Sequence, residues 1–215
     1  MRNAVGYGLL LIAQLCFGQR SAPAIQEPTA TFHSQNLGLD FVYPSGFVNK
    51  PTDDASANSD GKSAGGKKTC VSSPIAAMDM RKNFNMIFVK RVDGACMGKE
   101  ITAADWSKIA SNFLQLLLND FGHAGVTSAT DYEIGSHMAS VVSGTVTLES
   151  VKPAGTVISG AGTCVVAGRD LACFAFLSDD CPTLAALSAS TVKFTDGVAT
   201  PVIPAKLVPG CGPQS

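Results

Sequence analysis

Seven cysteines in a chain of 215 residues are the feature that most limits what it can fold into. Cys16 sits inside an N-terminal apolar run, and the remaining six, Cys70, Cys96, Cys164, Cys173, Cys181 and Cys211, form an even set. An even set behind an export signal points to an oxidising compartment, where cysteines pair rather than ligate metal or react. Residues 1–24 read as that signal: a positive start at Met1 and Arg2, an apolar stretch from Ala4 to Leu15, then small residues. Cleavage after Gly18 and cleavage after Ala24 both remain open. Leu15 is bulky where a lipoprotein signal needs a small residue before Cys16, and the stretch is short for a membrane span.

Loss of residues 1–24 removes two arginines and no acid, so the net charge moves from −1 to about −3. That balance offers no basic patch for nucleic acid or anionic lipid. The remaining chain, about 190 residues, is long enough to bury one core, so one domain is expected over 25–196, its disulfides supplementing that core. No second apolar segment has the length of a membrane span.

Leu37, Leu39, Phe41 and Tyr43 alternate with smaller or polar neighbours, the period of a half-buried strand, which Pro44-Ser45-Gly46 ends. Residues 49–69 are Asp, Ser, Ala, Gly and Lys with little to bury, a polar insertion within the domain. Cys70 to Met80 and Asn85 to Asp93 read as two strands joined by a turn at Arg81-Lys82-Asn83. Ile101 to Phe121 is the clearest helix: Thr102 and Asp105 resemble a capping box, Gly122 stops it, and Trp106, Ile109, Phe113, Leu117 and Phe121 share one face. Tyr132 to His137, Ala139 to Glu149, Thr156 to Ala167 and Leu171 to Leu177 are strand-like and predict an antiparallel meander. A second helix opens at Asp179-Asp180, carries Pro182 in its first turn and runs to about Ala189 before a last strand, Thr191 to Phe194. Beyond Gly197, Pro201, Pro204, Pro209 and Pro213 predict a tail, 197–215, lying extended on the surface.

The turn chemistry places one cysteine pair directly. A two-residue hairpin loop at Gly168-Arg169, with Gly168 at the positive-φ position of a type II′ turn, puts Cys164 opposite Cys173 in a non-hydrogen-bonded pair. Cys70 begins one strand and Cys96 follows the end of its neighbour, so antiparallel pairing brings them together. Cys181 and Cys211 remain, paired only by elimination.

Motifs for catalysis or cofactor binding are missing. His33, His123 and His137 fall in separate elements without metal-ligand spacing. No nucleophile elbow, phosphate-binding loop, dinucleotide fingerprint or Cys-x-x-Cys occurs. Asp179 and Asp180 read as helix caps rather than paired catalytic acids. No residue is singled out as catalytic, cofactor-binding or metal-binding, and no cofactor is expected.

The run Leu39-Asp40-Phe41-Val42-Tyr43-Pro44-Ser45-Gly46-Phe47, followed by a long central helix, a meander, and a closing helix into Ser190-Thr191-Val192-Lys193-Phe194, resembles the PsbP-like family. The likeness spans about residues 31–196 and leaves the six cysteines and the polar insertion unmatched. It implies an α+β fold, an antiparallel sheet flanked by helices as an α/β/α sandwich. It also implies members that bind or help assemble other components rather than catalyse reactions.

The sequence therefore leads to the expectation of a secreted or periplasmic, non-catalytic domain that binds a protein or cell-envelope component. One alternative is a small hydrolase or metal-dependent enzyme whose site is assembled only by the fold, for which His123 or His137 meeting an acid in a cleft would be the sign. The other is a passive envelope protein without a specific ligand.

Overall fold

The computed structural model describes residues 28–49, 70–79, 84–97, 103–148, 155–195 and 197–208. The expected signal segment 1–24, the expected insertion beyond Asn49, the expected turn at Arg81-Lys82-Asn83, the expected helix cap at Thr102, and Cys211 with the end of the tail lie outside them.

A four-stranded antiparallel sheet is formed by β1 (Thr29–Ser34), β2 (Leu39–Pro44), β10 (Thr191–Phe194) and β11 (Thr200–Pro201), in that spatial order. A second, seven-stranded sheet runs β3 (Phe47–Asn49), β4 (Val71–Asp79), β5 (Met86–Val92), β9 (Asp170–Ser178), β8 (Thr156–Ala167), β7 (His137–Leu148) and β6 (Ala124–Ile134). All its pairings are antiparallel, and β6 to β9 form the expected meander. Two α-helices, α1 (Ala103–Asn119) and α2 (Cys181–Ser188), and two 3-10 turns, Gly94–Cys96 and Ala205–Leu207, complete the described elements.

Two-residue alternation divides the large sheet into two buried faces. One face carries Ile87, Val89, Val141, Val165, Phe174 and Phe176, which pack against Leu39, Phe41, Val192 and Phe194 of the smaller sheet. The other carries Val142, Val146, Ile158 and Leu177, which pack under Trp106, Ala110, Leu114, Leu117 and Leu118 of α1. Trp106 is thus a core residue. Helix α1 sits close because its floor is glycine: Gly144 faces Gly160 across β7 and β8, and Gly162 lies opposite Val142. A Cβ at Gly144 would stand 2.7 Å from Leu118 Cδ1, and one at Gly160 would stand 3.2 Å from Leu114 Cδ1. The small residues of these strands are the space that Leu114 and Leu118 fill.

This architecture corrects the expected α+β sandwich. The described residues are mostly β, with two antiparallel sheets and two α-helices among them, and the face of the seven-stranded sheet opposite α1 is covered chiefly by the four-stranded sheet. The physical reason is pairing: β10 bonds to β2 rather than joining the large sheet, and β1 and β11 extend that pair on either side. Helix α2, only eight residues long, adds Leu184 and Leu187 to the same inter-sheet core.

Three strand segments escaped the sequence pattern. β1 holds one large apolar residue, Phe32; β3 has three residues; and the first half of β6 is Ala124-Gly125-Val126-Thr127-Ser128-Ala129, too small in side chain to show a period. The proline-rich stretch also departs from expectation. Thr200–Pro201 pairs with β10, and Val202, Ile203 and Val208 are buried, so the stretch sends three side chains into the core rather than lying wholly on the surface.

Candidate functional site

Of the six paired-cysteine candidates, the described residues contain two bonded pairs. Cys164 faces Cys173 in the β8–β9 register with Cα atoms 4.1 Å apart, and the two sulfurs are bonded beneath α1. Gly168 has φ +62°, while Arg169 is absent from the positive-φ residues, which fits the type II′ turn that sets this register. Cys70 and Cys96 are bonded with Cα atoms 5.7 Å apart. The backbone N–H of Asp93 donates to the Cys70 carbonyl at 2.8 Å, which closes the base of the β4–β5 hairpin. Cys181 is also disulfide-bonded, and its expected partner, Cys211, lies outside the described residues.

Beside Cys96 is a polar cluster that sequence reading missed. Arg91 Nε donates to Asp170 Oδ2 at 2.6 Å, and the Gly94 N–H donates to Asp170 Oδ1 at 3.2 Å. The Asp170 side chain is 1% exposed and that of Arg91 16%. A carboxylate this deep requires charged and backbone donors together, and the arrangement ties β5, the 3-10 turn Gly94–Cys96 and the start of β9 into one corner. The cluster is structural.

Asp180 and the three histidines that sequence reading weighed sit in different parts of the described fold. Asp180 caps α2, accepting from the Thr183 N–H at 2.9 Å, as its position before Pro182 predicts. His33 Nδ1 lies 2.5 Å from Asp40 Oδ1 on the neighbouring strand, His123 is exposed, and the His137 ring packs 4.3 Å from Phe194. No group of three or more His, Cys, Asp or Glu residues placed to hold a metal occurs among the described residues. Nor is any described helix long and apolar enough to cross a membrane.

Tyr132 joins distant parts of the chain. Its hydroxyl donates to the Val202 carbonyl at 2.6 Å, fastening the C-terminal segment to the end of β6. Burial pushes the phenol's pKa above the ordinary tyrosine range, opposed in part by the Thr163 hydroxyl beside it.

Two clefts are notable among the described residues. The larger, about 390 Å³, lies between three turns and is lined by Gln35, Asn36, Gly38, His137, Phe194 and Thr195, among others. The β1–β2 turn is pinned there by the Thr195 hydroxyl, which donates to the Gly38 carbonyl at 2.8 Å, and Gly38 itself has φ +58°. Among the described lining residues none is an acid, so the cleft presents two carboxamides, a hydroxyl, an imidazole and an aromatic ring. The smaller, about 320 Å³, lies between Phe47, Asp79, Asn85 and the first two turns of α2. There the Asn85 carboxamide oxygen accepts from the Ser178 hydroxyl at 2.7 Å, a bond that serves the β5–β9 end of the sheet.

No protein-family model matches the chain, and no curated protein matches it. In three dimensions it is similar to cyanobacterial PsbP (CyanoP) from Synechocystis sp. PCC 6803, whose structure was determined in solution. The TM-score is 0.53 at 11% sequence identity, and the match covers 83% of this chain and 98% of that one. At such an identity the likeness establishes the fold alone, and the chain has a PsbP-like fold.

Proposed function

We propose that this chain is an exported, disulfide-supported domain of PsbP-like fold that binds a protein or cell-envelope component without covalent chemistry, in the periplasm or outside the cell. The observation that carries the reading is the larger cleft, whose described lining holds no acid and is made of hydrogen-bonding groups beside an aromatic ring. Such a lining suits recognition and orientation of a partner's polar groups. The likeness of fold to cyanobacterial PsbP and the two described disulfides are in keeping with an accessory domain of an oxidising compartment.

The test is a photo-crosslinking residue placed at Asn36 in the exported full-length chain, with the same residue at exposed Leu116 on α1 as reference. A discrete adduct formed from position 36, absent from 116 and lost on His137→Ala, is the expected result. Hydrolysis of a generic ester or phosphoester by the purified chain, abolished by His137→Ala, would overturn it in favour of an enzyme.

A further inference from the structure

We propose that the chain pairs with a second copy of itself along β1, about a two-fold axis, so that the two four-stranded sheets join into one continuous antiparallel sheet. The inference rests on how the four sheet edges are treated and is independent of the cleft. Exposed strand edges invite pairing with other chains, and proteins discourage it with short strands, prolines, bulges or charges. β3 has three residues; β11 has two and ends in Pro201, which has no N–H. β6 is bulged between Thr127 and Ala129 and carries exposed Asp131 and Glu133.

β1 has none of these devices. Its six residues, Thr29 to Ser34, run in unbroken register against β2, with no proline, lysine or acid. Its single titratable residue, His33, is engaged by Asp40 of the same hairpin. Among the described residues no strand lies on its outer side. Phe32 is only partly buried against the inter-sheet core, so apolar surface remains at this edge.

The strand is also compatible with itself. An antiparallel two-fold through Thr31 sets each Thr31 opposite its copy, Ala30 opposite Phe32 of the other copy, and Thr29 opposite His33 of the other copy. On the inner face a small residue then meets a large one, which covers the half-buried ring, and no like charges oppose each other. A contact about 20 Å long with roughly six backbone hydrogen bonds belongs to the small, weak class of interfaces, with dissociation in the micromolar range or above.

Sedimentation velocity of the signal-free, disulfide-bonded chain, from about 1 μM to several hundred μM, tests the proposal. The expected result is a monomer–dimer shift with rising concentration, with amide exchange across 29–34 slowing in step. Thr31 is exposed, so Thr31→Lys leaves the fold intact while opposing two ammonium groups across the axis; it should hold the chain monomeric at the highest concentration. Thr145→Lys, on an exposed position of β7, is the charge-matched control and should dimerise like the parent. A parent chain that stays monomeric throughout, a dimer indifferent to Thr31→Lys, or equal loss with Thr145→Lys would each overturn the proposal.

Discussion

Tyr132 and Gly94 carry constraints that adjacent residues give no hint of. The Tyr132 hydroxyl reaches a carbonyl 70 residues along the chain, so Tyr132→Phe should cost about 1 kcal/mol in chemical denaturation near neutral pH. Its folded-state pKa is raised, so the folded chain holds the phenolic proton more tightly than the unfolded chain. The associated stability is complete below the unfolded tyrosine value of about 10 and falls as pH climbs above it. Parent and Tyr132→Phe unfolding curves compared across that range should therefore converge at alkaline pH. At Gly94 an added Cβ would stand 1.8 Å from the Arg169 carbonyl oxygen, a backbone atom that cannot rotate aside. Gly94→Ala should destabilise by about 2 kcal/mol or more, read from urea midpoints, by forcing the Asp170 corner apart. Asp170 was visible in the sequence only as a hairpin flank; Arg91, its partner, lies 79 residues away.

At the scale of single elements, local chemistry is most legible where one residue sets a boundary. Asp180 and Pro182 start α2, and Gly168 sets the β8–β9 turn; each acts on backbone within four residues, so spacing alone exposes it. Helix α1 is legible for its apolar stripe but not for its seat. Glycine inside a strand weakens it, and the approach of Leu114 and Leu118 explains the glycines of β7 and β8. Gly144→Val should displace α1 from the sheet, since even a first carbon meets Leu118 at 2.7 Å and the Gly125 carbonyl at 2.9 Å. A loss of about 1–3 kcal/mol, with a change in Trp106 fluorescence before any loss of far-ultraviolet β signal, is the expected outcome.

For the whole molecule, the two described disulfides differ in exposure and should differ in fate. Cys70 is exposed and Cys96 half-buried, whereas Cys164 and Cys173 are buried under α1. Under a mild dithiol the Cys70–Cys96 bond should open first, and Cys164–Cys173 should persist until the chain unfolds, as timed alkylation and peptide mass would report. The Cys70–Cys96 bond spans 26 residues, so replacing both cysteines by serine should cost up to about 3.5 kcal/mol through the freed unfolded chain.

What the sequence by itself determined is the set of features governed by neighbours: the long helix, the meander, the capped second helix, and the Cys164–Cys173 register that follows from its turn. Tertiary structure alone decided that β2 and β10 pair outside the large sheet, that Val202 and Ile203 return to the core, and that His137 meets Phe194 beside a cleft. The physical reason is range. Turn and capping preferences act over a few residues, while strand partnership and burial are settled by which distant apolar faces can cover one another, and many arrangements share the same alternation.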